Sequence, residues 1–260
     1  MSETPANLAE KKLFVFDFDG TLNRSKVEVD DEMVGLIEQL LEKRHIAIIS
    51  GSALKEYKRF LLGKLKGHDG HFERLHLFPT SGAINFEWKN GAWEKIYEDR
   101  IPEEAVKRIY DAFEQAFKEV GYEQPEQLWG EVIENRGTQI TFSALGQSAP
   151  IEEKLAWRGS ALDKRHEIVA AMKPHLPNFA LKIPGKTSID VTNLGVDKGY
   201  GIEKIVEHLG FQVADMVFVG DALYEGGNDE PVKRTGVVAL PIEGPEDTKV
   251  LIRSWLAEME

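Results

Sequence analysis

The 260-residue chain has no cysteine, which removes disulfides, zinc–thiolate centres and thiol nucleophiles from consideration. It has no apolar run approaching the ~20 residues that a membrane-spanning helix needs. Positive charge is scarce as well: 32 Lys and Arg stand against 44 Asp and Glu, a net charge of -12. A chain of that sign is a poor partner for nucleic acid or an anionic membrane, both of which are bound through cationic side chains. Residues 1–7 carry neither a basic nor an apolar signal region, so the expected localisation is cytoplasmic. Internal repeats and low-complexity tracts are absent too. With 42% hydrophobic and 29% charged residues, the composition is that of a globular protein with a proper core, in one large domain or two modest ones.

Within those bounds the chain alternates strand and helix signals. The apolar run Leu13 to Phe16 reads as a buried strand. Apolar positions 33, 36, 37, 40 and 41 then mark one face of a helix that begins in acids. His45 to Ile49 follows as a second buried strand, with a helix predicted over 53–65 and another strand end near 78–82. This rhythm predicts a Rossmann-like parallel sheet of α/β class. The middle of the chain differs. Residues 84–88 and 93–97 flank Lys89-Asn90-Gly91-Ala92, an antiparallel hairpin signal. A helix over about 102–120, an alternating strand over 137–143, a helix near 161–173 and strands at 180–183 and 188–191 complete an α+β insert. From Lys198 the first rhythm returns, with a helix at 199–209, a strand at 216–219 and a last helix at 245–258. The expected division is a core of 1–83 and 187–260 with an inserted α+β cap of 84–186. Trp88, Trp93, Trp129 and Trp157 then fall in the cap, as packing or as a cap–cap dimer surface. The seven histidines show no metal spacing, and His68 and His71 are expected in a loop.

Chemistry concentrates at the predicted strand ends. Asp17 and Asp19 finish the first strand one residue apart and precede Gly20. In an open α/β sheet the carboxyl ends of the strands are where ligands bind, and two acids ending a buried strand call for a neutralising divalent cation. Three further signals occur in order: Ser50-Gly51-Ser52, Lys198, and Gly220-Asp221 through Gly226-Gly227-Asn228-Asp229. Each has a plain structural reading taken singly, as a turn, a helix cap or a surface lysine. The last is the least easily dismissed, because acids and paired glycines after a buried strand suit an ion site.

Taken together, the order and spacing of the four signals resemble the haloacid dehalogenase superfamily of phosphotransferases, over essentially the whole chain. The insert between the second and third signals is typical of the type-2 cap subclass, and the residues from Asp221 to Asp229 and Ser188-Ile189-Asp190-Val191 are similar to the eukaryotic-type phosphomannomutase family. The resemblance implies an aspartyl-phosphate mechanism. Asp17 is then the nucleophile and Asp19 the general acid and base. Magnesium is implied as cofactor, held by Asp17, the backbone carbonyl of Asp19 and Asp221, with Asn228 and Asp229 in support. Ser50 and Lys198, with backbone amides near Gly20, Gly51 and Ser52, would hold phosphoryl oxygens. In the cap the same resemblance points to Arg136, Gln147, Ser188 and Asp190 as substrate contacts, with Lys186, Lys182 or Arg158 as possible substitutes for absent arginines. Gln147 stands where that family carries an arginine, another of its arginines has no counterpart near Pro125, and Ser50 stands where it tends to carry glycine. On those departures a magnesium-dependent sugar-phosphate phosphatase is expected ahead of a phosphomannomutase, with a non-catalytic phosphosugar-binding protein as a third reading. The implied partner is a small phosphosugar, and the resemblance alone suggests a homodimer through the cap.

Overall fold

Strands as uniformly apolar as Leu13–Asp17, His45–Ile49 and Met216–Gly220 cannot face water on either side, so they belong inside a parallel sheet covered by helices. A computed structural model, which describes residues 8–24, 27–67 and 69–259, places them there. Residues 1–7 and His68 lie outside the described residues. In chain order the elements are β1 (Leu13–Asp17), α1 (Asp31–Lys43), β2 (His45–Ile49), α2 (Leu54–Tyr57), α3 (Asp69–Phe72), β3 (Leu75–Phe78), β4 (Ile84–Lys89) and β5 (Ala92–Glu98). There follow α4 (Glu103–Glu119), β6 (Ile133–Asn135), β7 (Gln139–Ser143), α5 (Ile151–Trp157), α6 (Arg165–Met172), β8 (Phe179–Lys182) and β9 (Ser188–Asn193). The chain ends with α7 (Lys198–Leu209), β10 (Met216–Gly220), β11 (Val238–Pro241) and α8 (Pro245–Glu258).

The chain divides into two units, Met1–Glu98 with Val196–Glu260, and Asp99–Gly195. The first holds a seven-stranded sheet in the order β11-β10-β1-β2-β3-β4-β5, parallel from β11 to β3. Side chains alternate along β1. Phe14 and Phe16 pack with Met33, Ile37 and Leu40 of α1 and Ile252 and Trp255 of α8. Leu13 and Val15 turn the other way, onto Ile202 and Ile205 of α7. Asp17 continues that second row, so the last residue of β1 emerges on the side of the sheet where α7 begins.

The division corrects the sequence expectation of a cap over 84–186. The β4–β5 hairpin belongs to the first unit, where β4 pairs antiparallel with β3. The reason is the short connection from Phe78 to Ile84: a parallel neighbour needs a long crossover, whereas a short turn returns the chain antiparallel. Trp88 and Trp93 move with it. They pack at the sheet edge on one another, 5.5 Å between ring centroids, and Trp88 lies 4.8 Å from Phe72. Asn90 and Gly91 adopt the left-handed conformations (φ 54° and 78°) that the tight hairpin turn demands. Two local differences are smaller. The helix expected over 53–65 is α2 followed by a wider π-helical turn, Lys58–Leu62, and His71 lies in α3 rather than in a loop.

The second unit is a four-stranded antiparallel sheet in the order β6-β7-β9-β8. Ile140, Phe142, Ile189 and Val191 of its inner face pack with Ile109 and Phe113 of α4 and Ile168 and Met172 of α6. The other set of alternating positions is polar; Ser188, Asp190 and Lys182 lie on it, with Arg136 and Gln147 bonded beside it.

Candidate active site

Four carboxyl-end features of the first unit converge. β1 delivers Asp17, the turn after it Asp19, the loop after β2 Ser50 and Ser52, and the loop after β10 Asp221 and Asp229. Lys198 is the first residue of α7, whose N-cap is Asp197: its side chain accepts from the Tyr200 amide at 3.0 Å. Lys198 is 1% exposed, and its ammonium donates to Asp17 Oδ1 at 2.5 Å and to Asp229 Oδ1. The second oxygen of Asp229 accepts from the Ala222 amide at 2.9 Å, and that of Asp17 accepts from Thr21 Oγ1 at 3.3 Å. Asp19 has a different neighbour: Ser52 Oγ donates to its Oδ2 at 2.9 Å. Ser50 Oγ in turn accepts from the Ser52 amide at 3.0 Å.

Glycine is needed where these groups crowd the backbone. A Cβ on Gly20, which sits at φ 96°, would lie 2.3 Å from Asp221 Oδ2, and one on Gly220 would lie 2.4 Å from Asp229 Oδ2. At Gly51, by contrast, a Cβ would meet nothing within 4 Å, so the space over that backbone is open.

Charge at this point is unbalanced. Asp17, Asp221 and Asp229 each offer an oxygen within 4.8 Å of the others, against the single ammonium of Lys198. Burial pushes the Asp17 carboxyl up to about 7; Lys198 opposes the shift, while Asp229 and Asp221 add to it. Burial likewise raises Asp221, with Asp229 reinforcing the shift. Burial alone would depress Lys198, but Asp17 and Asp229 outweigh it and hold the ammonium above its ordinary value. An all-oxygen donor set with excess buried negative charge fits a hard divalent cation. The Asp19 carboxylate, engaged by Ser52, is not part of that trio, and Asn228 is exposed beside Asp229.

In the second unit the register builds a row across all four strands: Glu134 lies opposite Thr141, Thr141 opposite Asp190, and Asp190 opposite Lys182. Thr141 Oγ1 donates to Asp190 Oδ1 at 2.8 Å and accepts from Gln139 Nε2 at 2.8 Å. Arg136 Nε donates to Glu134 Oε2 at 2.7 Å and Arg136 Nη2 to Gln147 Oε1 at 3.3 Å, while Gln147 Nε2 donates to the Thr141 carbonyl at 3.2 Å. Burial raises the Asp190 carboxyl, with Arg136 opposing. The structure thus links Arg136, Gln147 and Asp190 through Thr141. Ser188 opens β9 opposite Ser143, and Lys186 lies two residues before it. Sequence reasoning missed Glu134, Thr141 and Lys154. The alternation of Gln139, Thr141 and Ser143 with Ile140 and Phe142 could have revealed Thr141. Lys154, 8% exposed on α5, donates to the Gln147 carbonyl at 3.3 Å, and α5 itself was not predicted.

Residues 14–229 match the family of haloacid dehalogenase-like hydrolases. The chain is 30% identical over 250 residues to the phosphomannomutase of Encephalitozoon cuniculi, covering 92% of this chain and 91% of that protein. It is 27% identical to the Saccharomyces cerevisiae phosphomannomutase, covering 91% of each. Among solved structures, a C-terminally truncated Plasmodium falciparum IMP-nucleotidase superposes with a TM-score of 0.70 at 18% identity, over 98% of this chain and 73% of that one. Aspergillus fumigatus trehalose-6-phosphate phosphatase superposes with a TM-score of 0.57 at 18% identity, over 96% and 93%. At those identities the two structures speak for the fold alone. With its motif carboxylates gathered at the strand ends and its full-length likeness to phosphomannomutases, the chain belongs to the haloacid dehalogenase-like hydrolase family as a phosphomannomutase-like member.

Proposed function

We propose that this protein is a magnesium-dependent phosphotransferase that interconverts hexose 1- and 6-phosphates, acting as a phosphomannomutase through an aspartyl-phosphate. The observation that carries the chemistry is the division of labour between two neighbouring carboxylates. Asp17 is buried against an ammonium, as a nucleophile that must stay ionised requires. Asp19, in the turn that follows, accepts from the Ser52 hydroxyl and is placed to act as the acid and base. Asp17 attacks phosphorus; as its O–P bond forms and the ester P–O bond breaks, the leaving sugar oxygen takes the proton of Asp19. In the return step Asp19 removes a proton from the accepting hydroxyl, which attacks the phosphoryl group and frees Asp17. Lys198 keeps its charge beside Asp17 and offsets the negative charge of the phosphoryl oxygens. Asp17 and Asp221 would hold magnesium, with Asp229 in support; bound there, it neutralises the repulsion between an anionic nucleophile and an anionic substrate. In the second unit Arg136 would take the non-reacting phosphate, and Thr141 and Asp190 would meet sugar hydroxyls.

The sequence favours hydrolysis over isomerisation, whereas the full-length likeness to phosphomannomutases supports the mutase. Two of the departures that argued for a phosphatase have structural accounts. Gln147 accepts from Arg136 and donates to Thr141, so it organises the arginine instead of leaving a gap. Ser50 accepts a local amide hydrogen bond, a structural task. One observation favours the phosphatase reading: Glu134 already pairs with Arg136 at 2.7 Å, which reduces the positive charge available to a second phosphate.

The deciding experiment incubates the protein with magnesium and mannose 1-phosphate, with and without a hexose bisphosphate, following mannose 6-phosphate and free phosphate together. Bisphosphate-dependent isomerisation with little phosphate release is expected. Rapid release without isomerisation would replace the mutase with the phosphatase. In either case Asp17→Asn should abolish turnover.

A further inference from the structure

An acid–base carboxyl is useful only in the orientation that brings its proton to the reacting oxygen, and Asp19 lies beyond the last residue of β1, where the sheet ladder no longer holds the chain. We infer that Ser52 is the positioning residue that sets this orientation; the inference rests on the acid–base role proposed for Asp19. Ser52 reaches Asp19 Oδ2 at 2.9 Å from a loop 33 residues away. A serine hydroxyl has one proton to donate. With that proton on Asp19, the Ser52 hydroxyl cannot at the same time donate to a phosphoryl oxygen.

The loop that carries Ser52 is held on both sides. Its amide donates to Ser50 Oγ at 3.0 Å, and its carbonyl accepts from the Thr80 amide at 3.1 Å, while the Ser50 carbonyl accepts from the Ser81 amide at 2.8 Å. Thr80 and Ser81 reach those carbonyls from consecutive left-handed conformations, φ 49° and 58°, which residues other than glycine rarely adopt. Such strain persists where the surroundings over-determine it, and here both amides are aimed at the Ser50–Ser52 backbone. The result is a rigid platform under one hydroxyl. When Asp19 passes its proton to the sugar oxygen and becomes a carboxylate, the bond from Ser52 becomes charge-assisted and strengthens, so the orientation is kept for the return of the proton.

The test uses leaving groups that differ in their need for a proton. A sugar alkoxide must be protonated as it departs from mannose 6-phosphate, whereas the phenolate of p-nitrophenyl phosphate leaves without help. Single-turnover phosphorylation of the protein is followed with both donors in wild type, Ser52→Ala, Ser52→Cys, Ser52→Thr and Asp19→Asn. General acid–base catalysis supplies ~10²–10⁴-fold, so Ser52→Ala should lose about tenfold more rate on the sugar phosphate than on the aryl phosphate. Cys should fall between Ala and Ser, Thr should restore the rate, and Asp19→Asn should show the same pattern more steeply. Melting temperatures identify any variant slowed by misfolding. If Ser52→Ala slows both donors equally while Asp19→Asn discriminates, the positioning role is wrong and the acid–base role stands. If Asp19→Asn slows both equally, the acid–base role falls and takes the inference with it.

Discussion

Asp17 and Asp19 carry the same functional group two residues apart, and their neighbours separate them. Asp17 ends β1 on the α7 side of the sheet and is 2% exposed. Asp19 follows the strand and faces a hydroxyl from the β2 loop. The pair itself is legible in the sequence, as are Asp221 and Asp229, because strand-end carboxylates beside glycine form a local pattern. Pairing of Lys198 with Asp17 or Asp229 is expected from the motifs, but that it holds both at once is decided in three dimensions, since those partners lie 181 and 31 residues away. Two predictions belong at this scale. Gly220→Ala would drive a Cβ to 2.4 Å from Asp229 Oδ2. It should destabilise the fold by about 1–3 kcal/mol, as overpacking commonly does, and should lower turnover by displacing Asp229 from Lys198. Denaturant unfolding and steady-state kinetics check the two effects separately. Asp221→Asn removes the negative charge and one of the two carboxylate oxygens that Asp221 offers the proposed cation site. Magnesium at a hundredfold over its Kd should stabilise the wild type by ~2.7 kcal/mol, and thermal melts of Asp221→Asn should show that response blunted.

At the scale of the element, α7 does most to position the site. Its N-cap Asp197 accepts from Tyr200 and is clamped by Arg234, whose Nη1 and Nη2 donate to Asp197 Oδ2 and Oδ1 at 2.8 and 2.7 Å. Arg234 lies on the turn Glu230–Thr235, which starts next to Asp229. One bidentate pair therefore ties the helix that presents Lys198 to the segment that presents Asp229. Asp197→Ala should cost about 1 kcal/mol through the lost cap. It should also lower kcat more than that stability loss explains, measured in the same preparation by denaturant titration and single-turnover rates. The helix is plain in the sequence over 199–209, and the structure adds its Asp197 cap and a left-handed Gly210 at its end. β11, β6 and α5 escaped because they are short and carry no clear period. The hairpin β4–β5 was recognised as a hairpin and assigned to the wrong unit, since its local pattern does not say which sheet it joins.

The stability of the molecule also depends on groups remote from the chemistry. At the opposite, amino-terminal ends of β2 and β3, His45 Nδ1 lies 3.0 Å from His76 Nε2, with the two rings stacked. Burial, with His45 beside it, lowers His76 from 6.5 to about 3, and burial with Arg74 nearby lowers His45 as well. A histidine whose folded value is depressed binds its proton more readily once unfolded. Its contribution to stability is present in full above 6.5 and is lost progressively as pH falls toward 3. Melting temperature should therefore drop between pH 6.5 and 4, and His76→Gln should flatten that slope relative to wild type.

No described helix is long and apolar enough to cross a membrane, as the missing apolar runs require. The sequence by itself determined the parallel α/β core, the inserted α+β unit and the carboxylates, because strand periodicity and strand-end motifs are local properties of a chain. Tertiary structure decided the unit to which the hairpin belongs. It also decided the sharing of Lys198 between two acids, the pairing of Ser52 with Asp19 and the polar row through Thr141. Those depend on register and on long-range packing, where residues distant in the chain meet and each neighbour changes what an ionisable group can do.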